Sequence, residues 1–143
     1  MKVHPYLNFD GKAEEAFHLY KSVFGGEFLA SMKMKDAPDG DKLPLEEQER
    51  IMHIALPIAK DTLLMASDCV PSAGHVLHPG SQTYIMLSPD SREEADRLFA
   101  GLSEDGEIEM EMADMFWGDY FGSFTDRYGI RWMISYNKNE SPY

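Results

Sequence analysis

An internal repeat restricts the fold of this sequence most strongly. Tyr-Leu-Asn-Phe at 6–9 is matched by Tyr-Ile-Met-Leu at 84–87, Glu-Glu-Ala at 14–16 recurs at 93–95, and Gly-Glu at 26–27 recurs at 106–107. The matches come in the same order, and their spacing drifts by single residues, as short insertions produce. The chain is therefore predicted to contain two similar units, which pair to bury the apolar side of each.

Each unit is predicted to be a strand, a helix and three further strands. Strand-like and helix-like apolar spacing gives the following elements. In the first unit they are strands at 3–9, 27–34, 51–58 and 62–67, with a helix at 13–24. In the second they are strands at 82–87, 107–112, 115–125 and 130–137, with a helix that ends near Gly106. The polar segments 36–50 and 68–81, which contain Gly and Pro, are predicted loops, and the second would link the units.

Both helices have start signals in the sequence. Asp10 is predicted to cap the first helix with its carboxylate. Ser91 and Glu94 form a capping-box pattern at the start of the second helix. Gly25 and Gly26 follow the first helix, where a left-handed conformation favours glycine.

Charge excludes two classes of partner. The net charge is −12, and basic residues are scattered among acids, so that no basic patch is visible. Such a chain repels nucleic acid phosphates and anionic lipids, and neither is an expected partner. Cys69 is the only cysteine, so no disulfide can form within the chain, and no signal-peptide pattern precedes the first strand. We expect a cytoplasmic protein with Cys69 as a packed structural thiol.

Three groups of motifs together span nearly the whole chain. The first is Pro-Tyr-Leu-x-Phe-x-Gly-x-Ala-Glu-Glu-Ala at 5–16, followed by Tyr20 and Phe-Gly-Gly at 24–26. The second is Leu-Met-x-Ser-Asp at 64–68, and the third runs from Trp-Gly at 117–118 to Gly-Ile-x-Trp at 129–132. These motifs resemble those of PhnB-like proteins of the vicinal-oxygen-chelate superfamily, which includes glyoxalases, bleomycin resistance proteins and dioxygenases.

The resemblance implies an α+β fold of paired βαβββ modules whose mixed sheet curves into a cleft. It implies one domain over 1–143, with a first module at about 1–70 and a second at about 81–138. Homodimers are implied as well. They agree with the expectation that two helices cannot cover both faces of eight short strands.

The resemblance also implies a divalent metal held by the first and last strands of each module. His4 and Gln82 lie at the two first-strand positions, and we expect them to lie in one cleft. Leu-Met-Ala at 64–66 offers no ligand, and Met133 stands where a glutamate is implied. Two surviving ligands are too few for a divalent ion, so we predict no intact metal site and no cofactor. His75 and His78 have helical ligand spacing, but they lie in a predicted loop and are expected to be exposed.

A small-molecule site remains the leading interpretation. The candidate ligand-binding residues are aromatic or polar and lie on or beside predicted strands: His4, Tyr6, His53, Gln82, Tyr84, Trp117 and Tyr120. They predict a cleft that binds a small apolar or aromatic metabolite.

Two alternatives stay open: a metal-dependent enzyme of glyoxalase or extradiol dioxygenase type that uses His4 and Gln82, and a structural dimer with a filled cleft. Methyltransferase activity is not expected. The glycine-rich strand–turn–helix motif of a nucleotide-like cofactor is missing from the sequence.

Overall fold

The computed structural model describes residues 1–139. The chain divides between His78 and Pro79 into two compact units. This boundary lies within 68–81, the segment that was predicted to link the two halves. The first unit comprises residues 1–78, and the second begins at residue 79.

The first unit contains a four-stranded mixed sheet and one long helix. Its elements are β1 (Tyr6–Phe9), α1 (Ala13–Phe24), β2 (Ala30–Lys33), α2 (Leu45–Gln48), β3 (Ile51–Ala59) and β4 (Thr62–Asp68). The strand order is β1-β4-β3-β2, in which β1 runs parallel to β4 and the other pairs are antiparallel.

The second unit repeats this arrangement. Its elements are β5 (Ile85–Leu87), α3 (Arg92–Ser103), β6 (Glu107–Asp114), β7 (Tyr120–Thr125) and β8 (Arg131–Tyr136). The strand order is β5-β8-β7-β6, again with one parallel pair, β5 and β8. The predicted α+β fold of two strand–helix–three-strand repeats is therefore confirmed.

Each sheet has a helix on one face only. In the first unit α1 packs on β3 and β4, where Phe17 and Tyr20 of the helix and Ile54 and Leu64 of the strands are buried. Since side chains alternate along a strand, every second residue points to the opposite side. We call that side the first helix-free face. Its residues are Tyr6, Asn8, Ala30, Met32, His53, Ala55, Leu63, Met65 and Ser67.

The second unit has the same asymmetry. Helix α3 packs on β8 and β7, and Phe99 of α3 meets Phe124 edge to face at 5.1 Å. A Cβ built on Gly122 would lie 2.9 Å from Cε2 of Phe99, so only glycine fits beneath this helix. The opposite side is the second helix-free face. Its residues are Tyr84, Met86, Phe121, Ser123, Thr125, Arg131, Met133 and Ser135.

The first helix is capped by a residue distant in sequence. Asp68, at the end of β4, accepts hydrogen bonds from the backbone N–H groups of Gly11 and Ala13 at 2.9 and 3.0 Å. Asp10, the predicted cap, instead pairs with Arg50 at 2.8 Å, and that prediction was wrong. The parallel pairing of β1 with β4 places Asp68 beside the start of α1, and its carboxylate caps the helix in place of the residue that is adjacent in sequence.

The second helix is capped by Ser91, the first residue of the predicted capping box. Its hydroxyl oxygen accepts a hydrogen bond from the backbone N–H of Glu94 at 3.0 Å. The carboxylate of Glu94 turns back and accepts from the backbone N–H of Asp90 at 2.9 Å. The sequence pattern therefore predicted this helix start correctly.

The predicted loop 36–50 contains short helical turns and the helix α2. Glu47 of α2 is buried, and its carboxylate accepts from the backbone N–H and the hydroxyl of Ser72 at 2.9 and 2.5 Å. The Ser72 hydroxyl holds the pKa of Glu47 below its usual range. This contact with the segment after β4 orders a stretch whose composition indicated only a loop.

Among residues 1–139, none of the helices has the length and apolar character of a membrane span.

Candidate functional site

Two aromatic side chains meet on the first helix-free face. The Tyr6 hydroxyl and Nδ1 of His53 are joined by a hydrogen bond of 3.0 Å, and the two rings stack with centroids 5.7 Å apart. Tyr6 comes from the edge strand β1 and His53 from β3, so their contact crosses β4. When the hydroxyl donates to Nδ1, the proton of the neutral imidazole lies on Nε2. This pair can therefore offer an N–H donor beside an aromatic surface.

His4 precedes β1 and is held by the backbone. Its Nδ1 accepts a hydrogen bond from the N–H of Leu63 at 2.9 Å. A neutral His4 therefore carries its proton on Nε2, which is the nitrogen left for any ligand. Three predicted site residues, His4, Tyr6 and His53, thus come from adjoining parts of the first unit.

An open groove lies at the end of this sheet. Its volume is about 600 Å³, within the range of small-molecule sites. It is lined by the ends of β1 and β4 and by the segment that follows: Asn8, Ser67, Asp68, Cys69, Gly74, His75, Val76, Leu77 and His78. The lining mixes hydroxyl, amide and imidazole groups with aliphatic side chains, a composition that can bind an apolar molecule and orient it.

The raised pKa of the groove's thiol keeps it protonated at neutral pH. Burial and the carboxylate of Asp10, 3.4 Å from Sγ, raise the pKa of Cys69. The guanidinium of Arg50 donates to the Cys69 carbonyl oxygen at 2.9 Å and to Asp10, whose pKa it lowers. Because the thiolate is the reactive form, Cys69 is a structural thiol, as the sequence predicted.

A charged cluster crosses the second helix-free face. Arg131 Nη2 donates to the hydroxyl of Tyr84 and to Oε1 of Glu109, the latter at 3.2 Å. The Tyr84 hydroxyl donates in turn to Oε2 of Glu109 at 2.6 Å, and Thr125 Oγ1 lies 3.5 Å from Oε1. The guanidinium carbon lies 4.2 Å from the centre of the Tyr84 ring. Glu109 raises the pKa of Tyr84, so its hydroxyl stays protonated at neutral pH.

Trp117 lies in the turn before β7 rather than in a strand. Its Nε1–H donates to Oδ2 of Asp119 at 3.1 Å, and the same carboxylate accepts from Ser135 and Asn137. The indole meets the Phe121 ring with centroids 6.2 Å apart. These bonds orient a half-exposed indole beside the second helix-free face.

The remaining two candidates lie elsewhere in the second unit. Tyr120 is on the α3 side of its sheet, where its hydroxyl donates to Asp96 at 2.5 Å and its ring faces Arg92. Gln82 is exposed and precedes β5. Because His4 and Gln82 belong to different units, their presence in one cleft stays a prediction.

The donor set does not fit a divalent metal. Met133 on β8 pairs with Met86 on β5, so two thioethers occupy the position where the resemblance implies a carboxylate. The β4 residue opposite Tyr6 is Met65. Among residues 1–139, no three His, Cys, Asp or Glu side chains are grouped so that they could hold a metal ion. Soft thioethers suit neither Mg, Mn nor Zn.

Sequence reasoning missed four polar residues of these faces. Asn8 and Ser67 line the groove, whereas Glu109 and Arg131 form the charged cluster. Glu109 alternates with Glu107 and Glu111, a pattern that is typical of a solvated strand face and does not indicate a cluster. Arg131, a single basic residue within an otherwise uncharged strand, was the signal that could have drawn attention to the cluster.

Comparison with known proteins gives one family and several relatives. The family model described as Glyoxalase/Bleomycin resistance protein/Dioxygenase superfamily matches residues 2–134. Protein YjdN of Escherichia coli (strain K12) is 31% identical over 151 residues, covering 98% of this chain and 98% of that protein.

Solved structures with a similar fold are found as well. The crystal structure of PA1353 from Pseudomonas aeruginosa is 36% identical with a TM-score of 0.84, covering 96% of this chain and 98% of the other. A Bacillus cereus PhnB protein, described as a putative 3-demethylubiquinone-9 3-methyltransferase, is 24% identical with a TM-score of 0.74. It covers 95% of this chain and 99% of the other, and its likeness shows the fold alone.

Proposed function

Because the chain belongs to the glyoxalase/bleomycin resistance/dioxygenase superfamily, as its motifs predicted, we propose that it binds a small apolar or aromatic molecule on its helix-free faces. The single observation that carries this proposal is the groove of about 600 Å³ beside the first helix-free face. A volume of this size suits a metabolite, and apolar walls with a few polar groups are usual in such sites.

The groove and the aromatic pair support one binding surface in the first unit. Asn8 lines the groove, and Tyr6 points to the same side two residues earlier on β1. The Tyr6–His53 pair would supply a flat aromatic wall and a hydrogen-bond donor, while Val76 and Leu77 would cover apolar parts of the ligand. His4 and, in the second unit, Gln82, Tyr84 and Trp117 remain proposed contacts. Tyr120 is left out, since its side chain faces α3.

Metal-dependent chemistry of glyoxalase or extradiol type receives less support. It would need ligands that Met65 and Met133 cannot provide, although the family includes enzymes of this kind. Methyl transfer is not proposed either. The single glycine between β1 and α1, Gly11, does not form the glycine-rich turn that a nucleotide-like cofactor requires.

A groove-filling variant tests the proposal. Purified protein would be screened by NMR against a panel of aromatic and aliphatic metabolites that includes 4-phenylbutanamide. Ser67→Trp should weaken binding of a hit that perturbs the NMR signals of the groove residues Asn8 and Val76 by about tenfold or more, because the indole would occupy the groove. Ser22→Trp, on the exposed side of α1, is the matched control and should bind as the wild type does. No binding by the panel, or equal binding by both variants, would overturn the proposal.

A further inference from the structure

We propose that the second helix-free face binds an anionic molecule of its own, whose charged group Arg131 anchors, and that Glu109 competes with this group for the guanidinium. The inference rests on the proposed function, in which both helix-free faces bind small molecules, and it names the class of ligand for the second face: an aromatic or apolar carboxylate. It involves only the second helix-free face.

Arg131 is suited to hold an anion. It is the only lysine or arginine in the four strands of the second sheet. Its side chain is 20% exposed, and its guanidinium lies against the ring of Tyr84, which restricts its orientation. A partly buried, preoriented guanidinium binds carboxylates more strongly than a mobile surface lysine does, because its planar fork can donate two parallel hydrogen bonds.

Two of the three guanidinium nitrogens of Arg131 are available for a ligand. Nη2 makes both hydrogen bonds to Tyr84 and Glu109, whereas within residues 1–139 no acceptor is bonded to Nε or Nη1. An incoming carboxylate can therefore approach these nitrogens first. It gains the Tyr84 hydroxyl only if Glu109 moves away.

Glu109 occupies the place of such a carboxylate. It lies on the edge strand β6 and is 34% exposed, so it can swing outward without disturbing the core. The Tyr84 hydroxyl, together with Arg131, keeps the pKa of Glu109 below its usual range, and the group is charged at neutral pH. A ligand carboxylate would meet the same donors, so the two anions compete.

The rest of the face suits an apolar body. Met86 and Met133 are paired on β5 and β8, directly after the Tyr84 and Arg131 positions. Trp117 and Phe121 form an aromatic pair farther along the same face. From Arg131 to Ser135 the strand rises by roughly 13 Å, about the length of a small aromatic molecule with a charged end. Flexible thioethers adapt to many apolar shapes.

A matched pair of probes tests the anchor. We would measure the Kd of 4-phenylbutanoate and of its neutral amide, 4-phenylbutanamide, by calorimetry on the full chain. Wild type should bind the carboxylate about tenfold more tightly than the amide, a difference of about 1.4 kcal/mol, because only the carboxylate forms a charge-assisted hydrogen bond with Arg131.

Two variants should change this preference in opposite directions. Arg131→Met should remove it, whereas Glu109→Gln should strengthen carboxylate binding several-fold and leave amide binding unchanged. If the Arg131–Glu109 pair only stabilised the fold, either substitution would weaken binding of the carboxylate and of the amide equally. Arg127→Met is the control, because Arg127 pairs with Glu104 and Asp105 at a turn.

Each outcome decides between the two proposals. Equal binding of both probes to wild type, unchanged in the variants, would overturn the anchor and leave small-molecule binding intact. Failure of both probes and of the metabolite panel would overturn both. If Arg131→Met does not fold, Glu109→Gln still decides, since unaltered carboxylate affinity in that variant contradicts competition.

Discussion

The carboxylate of Asp68 connects three segments of the first unit, and its Oδ2 accepts the backbone N–H of Ile51 at 2.8 Å. Its Oδ1 accepts from Gly11 and Ala13, at the start of α1. Asp68 is 4% exposed, so if its carboxylate were removed, the buried N–H groups of Ala13 and Ile51 would lose their partner without gaining water.

Asp68→Asn should therefore destabilise the protein by roughly 3 kcal/mol or more. An amide has one oxygen and one NH₂ group, so one set of backbone N–H groups would face a donor. The measurement is the urea midpoint of unfolding. Asp61→Asn is the control, because Asp61 is exposed, pairs only with Lys2 at 3.3 Å, and has a left-handed backbone that asparagine tolerates. Equal midpoints for the two variants would contradict this role of Asp68.

Gly122→Ala should destabilise the second unit by roughly 1–3 kcal/mol. The new Cβ would lie 2.7 Å from Met112 Sδ, 2.9 Å from Phe99 Cε2 and 3.1 Å from the Met110 carbonyl oxygen. Gly80→Ala meets no atom within 4 Å and is the control. Thermal unfolding of both variants would check this, and a Gly122→Ala midpoint at or above that of the wild type would refute the predicted crowding.

Ser72→Ala should make the free energy of unfolding depend less strongly on pH. The pKa of Glu47 is lowered in the folded state, so its contribution is present above the unfolded pKa, near 4.5, and is lost as pH falls through the lower folded value. Without the Ser72 hydroxyl the pKa moves back toward 4.5 and the difference between the states shrinks.

Urea midpoints at several pH values check the Ser72 prediction. The variant should be less stable than wild type at neutral pH, and the two should converge as the pH falls below 4.5 and Glu47 becomes protonated in the folded protein. Ser81→Ala, at an exposed position, is the control. A constant difference across this range would show that Glu47 is not the titrating group.

No metal should copurify in stoichiometric amount, because the thioether of Met133 stands at the implied ligand position and no cluster of donor side chains is found among residues 1–139. Elemental analysis of the purified protein checks this. About one Zn, Mn, Ni or Fe per chain would refute it. Met133→Glu alone should not create a site, since β4 would still offer Met65 across from Tyr6.

The protein should be a homodimer at micromolar concentration. Each sheet carries a helix on one face only, and apolar side chains such as Phe116, Met32 and Met86 are exposed. Contiguous apolar surface usually marks an interface, and a stable one should bury more than about 1,000 Å². Sedimentation would decide, and a mass near 16.3 kDa that persists on concentration would contradict the dimer.

The repeat and the strand alternation predicted most of the fold, because both follow from local apolar spacing. The helix that follows Ser91, for example, starts at the predicted cap. Long-range pairing could not be predicted in this way. The Asp68 cap depends on β1 lying beside β4, and the Arg131–Glu109 pair depends on which strands are neighbours, neither of which has a local signature.

Two strands begin later in the structure than the sequence predicted. The predicted strand 3–9 begins only at Tyr6, since Pro5 lacks the N–H that would extend the ladder. The predicted strand 115–125 begins at Tyr120, because Met115 to Gly118 form a hydrogen-bonded turn, with Gly118 at a φ of 103°. Aromatic content favoured a strand there, and the glycine conformation overrode it.

Tyr6 and Tyr84 hold matching positions in the repeat, yet they bind unlike neighbours. One hydroxyl meets an imidazole, whereas the other joins a carboxylate and a guanidinium. The two units therefore share a framework of strands and one long helix, whereas the side chains around the equivalent tyrosines differ. One face presents a neutral hydrogen-bonding pair, and the other presents a paired positive and negative charge, so the repeat is a repeat of scaffold and not of surface chemistry.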